Sequence, residues 1–247
     1  MLLPHSFAEF TLCDVLVAIF PDFDTSVERS AAAGGTVRVD RVRQWVTSAR
    51  TLLVVAHYIG EDADAEFVCG GCRVNPRLAV LERSGTALTL VARGTVPGWD
   101  PDGLFYGRTE FDSGSYSFQG DETLLGMRTP WSYGMMGGMT RLSLFRLEGT
   151  QLSLVFDDRL EWVASGMGLE DDDVVSVAVS QQRRASGPDD IVLTVHQARC
   201  RWEEDKRVCG PKKLAAQQRW RFDSKQYRQI SGKPMPMPQL FRTRWGW

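Results

Sequence analysis

Five cysteines carry the sharpest chemical signal in the chain: Cys13, Cys69, Cys72, Cys200 and Cys209. Four of them form two close pairs, Cys69-Gly-Gly-Cys72 and Cys200 with Cys209, the second pair spaced by Arg201 to Val208. Two thiolate pairs would fill a tetrahedral zinc site, for which CxxC is the usual half, but the second spacer is longer than such a half tolerates. A redox site needs its CxxC to open a helix whose N-terminus lowers the first thiol's pKa. Here Pro76 comes soon after and leads into the strand-like run Leu78-Ala79-Val80-Leu81. Two local disulfides fit best, Cys69 with Cys72 pinning a turn and Cys200 with Cys209 closing a charged loop between strands. Disulfides belong to oxidising compartments. Cys13 is then the odd thiol, expected to be buried near the N-terminal segment.

The remaining reactive side chains form no recognisable set. His5, His57 and His196 are far apart and fit no HExxH or HxH pattern. The last two fall in strand-like runs and read as packed rings. There is no GxSxG elbow, no GxxxxGK[ST] loop and no GxGxxG after a strand. Asp157, Asp158, Glu161 and the run Glu170 to Asp173 offer carboxylates, but they read as solvated loops and lack the alternate spacing of a calcium loop. No catalytic residue, metal ligand or cofactor is assigned.

What positions these residues is a β-rich framework. The chain has 247 residues, is 43% hydrophobic and 24% charged, and carries a net charge of -2, which excludes a disordered polymer. No apolar run is long enough to cross a membrane as a helix. Short apolar or alternating runs separated by turn residues dominate: Leu52 to Tyr58, Leu78 to Leu81, Thr86 to Val91, Leu142 to Phe145, Thr150 to Val155, Val174 to Val179 and Ile191 to Ala198. Helical periodicity is confined to Ser6 to Phe20, ended by Pro21, and to Val37 to Arg50.

Two hairpins repeat. At an offset of 64, six of the fourteen positions from Leu78 to Val91 are identical to those from Leu142 to Val155, including the block Gly-Thr-x-Leu-x-Leu-Val. A fainter copy runs from Trp220 to Tyr227. These hairpins predict a mainly β single domain over 1–247, with an internal repeat at 69–94 and 133–158 and a short N-terminal helix. A degenerate propeller-like ring or a sandwich would bury the alternating faces equally well.

Two segments are candidate contact surfaces, beside the alternatives that Trp131, Tyr133 and Met135 turn inward to cap the core and that the tail docks on its own domain. The loop around Trp131, Tyr133, Met135, Met136 and Met139 combines Gly with adaptable Met and aromatic side chains. The tail 232–247 is Pro/Met-rich and then aromatic, ending in Phe241, Arg244 and Trp245, residue types that anchor interfaces. Arg199 to Trp247 holds thirteen Lys/Arg against four Asp/Glu, so the rest of the chain is strongly acidic. No nucleic-acid module accompanies the basic segment.

In style the chain is similar to secreted β-proteins of high-GC bacteria, which implies an exported, periplasmic or secreted protein whose leader is absent from this sequence. The expected function is binding of another protein without catalysis, as an inhibitor or immunity protein against a toxin or cell-wall enzyme. Two alternatives stand beside it. One is an envelope carbohydrate binder or hydrolase using carboxylates in a cleft; the other is a cytoplasmic zinc-stabilised β module.

Overall fold

The computed structural model describes residues 2–47, 49–60, 76–96, 109–132, 137–164, 171–203 and 206–235. It begins with a 3-10 turn (His5–Phe7) and helix α1 (Leu12–Ile19), shorter than the apolar periodicity predicts. Thr11 sets the start through a capping box: its hydroxyl accepts from the Asp14 N–H at 3.2 Å, and the Asp14 carboxylate accepts from the Thr11 N–H at 2.7 Å. Phe20, in front of Pro21, is extended and stops the helix.

Beyond α1 the described residues lie mostly in strands. They are β1 (Arg29–Ser30), β2 (Gly35–Val46), β3 (Thr51–Gly60), β4 (Arg77–Ser84), β5 (Ala87–Thr95), β6 (Glu110–Phe111), β7 (Tyr116–Ser117), β8 (Thr123–Ser132) and β9 (Gly137–Glu148). Then come β10 (Gln151–Ala164), β11 (Asp171–Gln182), β12 (Asp190–Glu203), β13 (Lys206–Cys209), β14 (Lys213–Phe222) and β15 (Tyr227–Gly232). The helical reading of Val37 to Arg50 is corrected: this segment is largely β2. Thr36, Val37, Val39 and Val42 are β-branched and find a ladder partner in β3. The carboxylates Asp157, Asp158 and Glu161 likewise sit within β10 and Asp171 to Asp173 within β11, not in loops.

All fifteen strands of the described residues belong to one open sheet, whose main path is β1-β2-β3-β4-β5-β10-β11-β12-β14-β15. β9 and β8 branch from β10, β6 and β7 pair with β8, and β13 pairs with β12. The hairpins are thus one continuous ladder and not separate blades. β10 is the joint. One of its edges is filled by β9; the other meets β5 at its start, through Gln151 opposite Arg93, and β11 at its end.

The β4–β5 and β9–β10 hairpins match in register at the offset of 64. Ala79 faces Arg93 as Ser143 faces Asp157, and both ladders skip one residue, Val91 and Val155, at the same place. Each turn places its glycine, Gly85 or Gly149, at a positive φ of 63° or 60°, as two-residue hairpins of the favoured hand require.

Three apolar clusters hold the sheet. Leu53, Val55, Ala79 and Leu81 pack against α1 through Phe7, Val15, Ile19 and Phe20. Leu52, Val54, Ala56, Leu78 and Val80, on the opposite face, meet Leu125, Met127, Phe145 and Leu152. Both faces of β3 and β4 are therefore buried, which explains their uninterrupted apolar runs. At about 1.5–3 kcal/mol per buried side chain, these two strands concentrate the fold's stability. The third cluster joins Leu142, Leu144, Phe156, Ile191, Leu193 and Tyr227 in the C-terminal half. Among the described residues, no helix is long and apolar enough to cross a membrane.

Candidate functional site

The seam where β5 meets β10 opens into a cleft of about 710 Å³. Its walls bring together Phe20 after α1, His57 of β3, Arg77 of β4, Arg93 of β5, and Gln151 and Ser153 of β10. Four locally ordinary strand positions converge here because the ladder aligns them: His57 stands opposite Arg77 in register, and Arg93 opposite Gln151.

His57 is 3% exposed and meets the Phe20 ring edge-on at 5.5 Å between centroids. Its Nδ1 is buried and has no hydrogen-bond partner among the described residues. Burial, reinforced by the positive charges of Arg77 and Arg93, pushes its pKa down to about 4, so the ring is neutral at pH 7. Arg93 donates from Nη2 to the Ile19 carbonyl at 2.6 Å, capping the C-terminal end of α1, and its guanidinium carbon lies 5.8 Å from the Phe20 ring centroid. The described lining holds no carboxylate, so the cleft does not supply the acid pair of a glycosidase. His57 Nδ1 is hydrogen-bonded to no hydroxyl or carboxylate, and so is not paired as the base of a nucleophile. Among the described residues, no group of three His, Cys, Asp or Glu is placed to hold a metal.

The sequence-derived candidates are scattered. Cys200 and Cys209 face each other across β12 and β13 and form a disulfide. With both sulfurs so joined, this pair offers no thiolate to zinc. Cys69 and Cys72 lie outside the described residues. Cys13 is a free thiol on the exposed side of α1, which corrects the expectation of burial: the inward positions of this helix are taken by Val15 and Ile19.

The proposed contact loop is only partly described. Trp131 lies in β8 opposite Met139 of β9, and Met139 is buried, at 8% exposure, because the ladder continues through it to Trp162. Met139 is therefore a core residue of the described sheet. Tyr133, Met135 and Met136, together with the tail residues Phe241, Arg244 and Trp245, lie outside the described residues.

A second charged centre escaped sequence reasoning. Asp190, fully buried at the start of β12, accepts from Arg219 Nε at 2.6 Å and from Arg221 Nε and Nη2 at 3.0 Å. The Arg219-x-Arg221 spacing places both guanidinium groups on one face of β14, a period-two signal visible in the sequence, but their acceptor lies 29 and 31 residues away. This network neutralises part of the basic segment. The cleft residues Arg77, Arg93 and Gln151 gave no local signal at all.

Compared with known protein families, with characterised proteins and with solved structures, the chain shows no match to any of them.

Proposed function

We propose that this chain is an exported bacterial protein that binds another protein without catalysis, in the manner of an inhibitor or immunity protein, and that it does so at the C-terminal end of its sheet. The observation that carries this reading is β15. Among the described residues it ends the strand order, pairs with β14 on one side only, and is exposed at every residue from Arg228 to Gly232. Neighbouring strand residues point to opposite faces. A continuous exposed run therefore has no described residue covering either face or the outer edge.

An edge of this kind is a template for strand pairing unless it is protected. Ile230, 47% exposed, has no ladder partner on β14, because the register steps from Gln229 to Ser231. Lys233, three residues further on, and Lys225, in the turn between β14 and β15, are exposed. The occupant that fits is an extended, acidic segment of the partner, since complementary charge steers encounter and fixes register. The Cys200–Cys209 disulfide supports the extracytoplasmic half of the reading.

The test places a photo-crosslinking side chain at position 230 in the producing cell, with in-cell thiol alkylation in parallel. An adduct with one extracytoplasmic protein, lost when Gln229→Asp and Ser231→Asp repel an acidic partner, is the expected result. Absence of an adduct, or an adduct indifferent to those substitutions, overturns the docking. Alkylatable Cys200 and Cys209 in the cell overturn export.

A further inference from the structure

The seam cleft lies far along the strand order from β15, and its chemistry differs. We propose that it is a binding site for a small organic anion, a carboxylate or phosphate monoester of metabolite size, whose head group is held by Arg77 and Arg93. This site is independent of the docking at β15.

The cleft holds uncompensated positive charge. Arg77 has no hydrogen bond or ion pair among the described residues, and Arg93 spends one N–H on the Ile19 carbonyl, a neutral acceptor. Neither meets a carboxylate among the described residues, and none lines the cleft. The matched hairpin supplies the internal control. At the offset of 64, Arg77 falls on Arg141 and Arg93 on Asp157, in the same ladder register. There the two side chains form an ion pair, with Ser143 Oγ donating to the same Asp157 carboxylate at 3.0 Å. The first hairpin keeps the arginine and puts a second arginine where the carboxylate stands in the other. An oxyanion in the cleft supplies what Asp157 supplies there, and guanidinium forks match carboxylate and phosphate oxygens.

His57 points the same way. A buried polar atom left without a partner costs on folding, and native proteins rarely leave one. The ring lines the cleft, so a molecule seated there packs against it, and a turn of the ring would bring Nδ1 to a polar atom of that molecule. The size of the cleft agrees. About 710 Å³ is far more than a bare ion fills and falls in the range of small-molecule sites. Leu152 and Leu154 offer an apolar wall, and Gln151 and Ser153 add polar groups, for the body of such a molecule.

The test is calorimetric titration of the purified protein with citrate and glucose 6-phosphate, and with inorganic phosphate and neutral glucose as controls. The expected result is saturable binding of citrate or the sugar phosphate, with glucose silent. Binding should fall at least tenfold in Arg77→Gln and largely survive in Arg77→Lys, with thermal midpoints unchanged because Arg77 is exposed. His57→Phe should weaken binding without abolishing it. Preference for citrate over glucose 6-phosphate assigns a carboxylate head, and the reverse a phosphate. Equal weak binding of all anions, inorganic phosphate included, is diffuse screening and overturns the proposal. So do silence of both organic anions and an Arg77→Gln protein that binds normally.

Discussion

Gly94 of β5 lies against Leu152 of β10 so closely that a Cβ on the glycine would sit 3.0 Å from the leucine Cβ and 3.2 Å from its carbonyl oxygen. This contact is the hinge pin of the sheet, because β5 and β10 share only the Gln151–Arg93 register pair. Gly94→Val should force the two halves apart and destabilise the protein by about 1–3 kcal/mol, the usual cost of overpacking. Urea unfolding measures it. An unchanged midpoint would mean that the seam yields freely and that the cleft beside it has no fixed shape.

Stability should respond to His57. Its folded pKa of about 4 lies below the value near 6.5 of an unfolded histidine, so the folded state resists protonation. The stability it preserves is complete above about pH 6.5 and is lost as pH falls toward 4, by up to about 3 kcal/mol. Unfolding at pH 7, 5.5 and 4 should show His57→Phe with a shallower decline than the parent protein. Parallel declines would remove His57 from the account.

Asp190 anchors the β12–β14 pairing. Hydrogen bonds from Arg221, then Arg219, hold its carboxyl below the usual carboxylate range, against the opposing effect of burial. Both arginines are more than a third exposed and regain water when released, so Asp190→Asn should cost about 1–3 kcal/mol, less than breaking a fully buried pair. The sign for a lowered acid is that this stability is present at neutral pH and fades only as pH falls below about 4. Thermal unfolding of parent and variant should therefore differ at pH 7 and converge in strong acid.

The disulfide closes a short loop, with a sequence separation of nine. Chain-entropy arguments assign such a loop about 2–3 kcal/mol. The double variant Cys200→Ser, Cys209→Ser should lower the unfolding free energy by that amount and leave the α1 side of the sheet intact. Amide exchange should localise the loosening to β12 and β13. Loss of protection in β3 and β4 would show that the hairpin supports the whole sheet.

Much of the fold was legible in the residues. The apolar run Leu52 to Tyr58 and the two Gly-Thr turns specify buried strands and tight hairpins through local preference alone, and all appear where expected. The paired spacing of Cys200 and Cys209 was enough to find the disulfide. Val37 to Arg50 misled because a three-to-four spacing of apolar residues over a short window also fits a twisted strand with a bulge, as between Val39 and Arg41. Met139 misled because a Gly-rich context hides whether a ladder continues through it.

The sequence by itself determined the buried run of β3 and the two Gly-Thr hairpins, because each depends on neighbours a few residues away. Only the tertiary structure decided that β5 meets β10 and that Asp190 meets Arg219 and Arg221. It alone set His57 beside two arginines that no described carboxylate answers. Those relations are set by which strand edges remain unpaired once the hairpins have formed, and by burial that removes water between distant charges. Neither quantity is carried by any single stretch of chain.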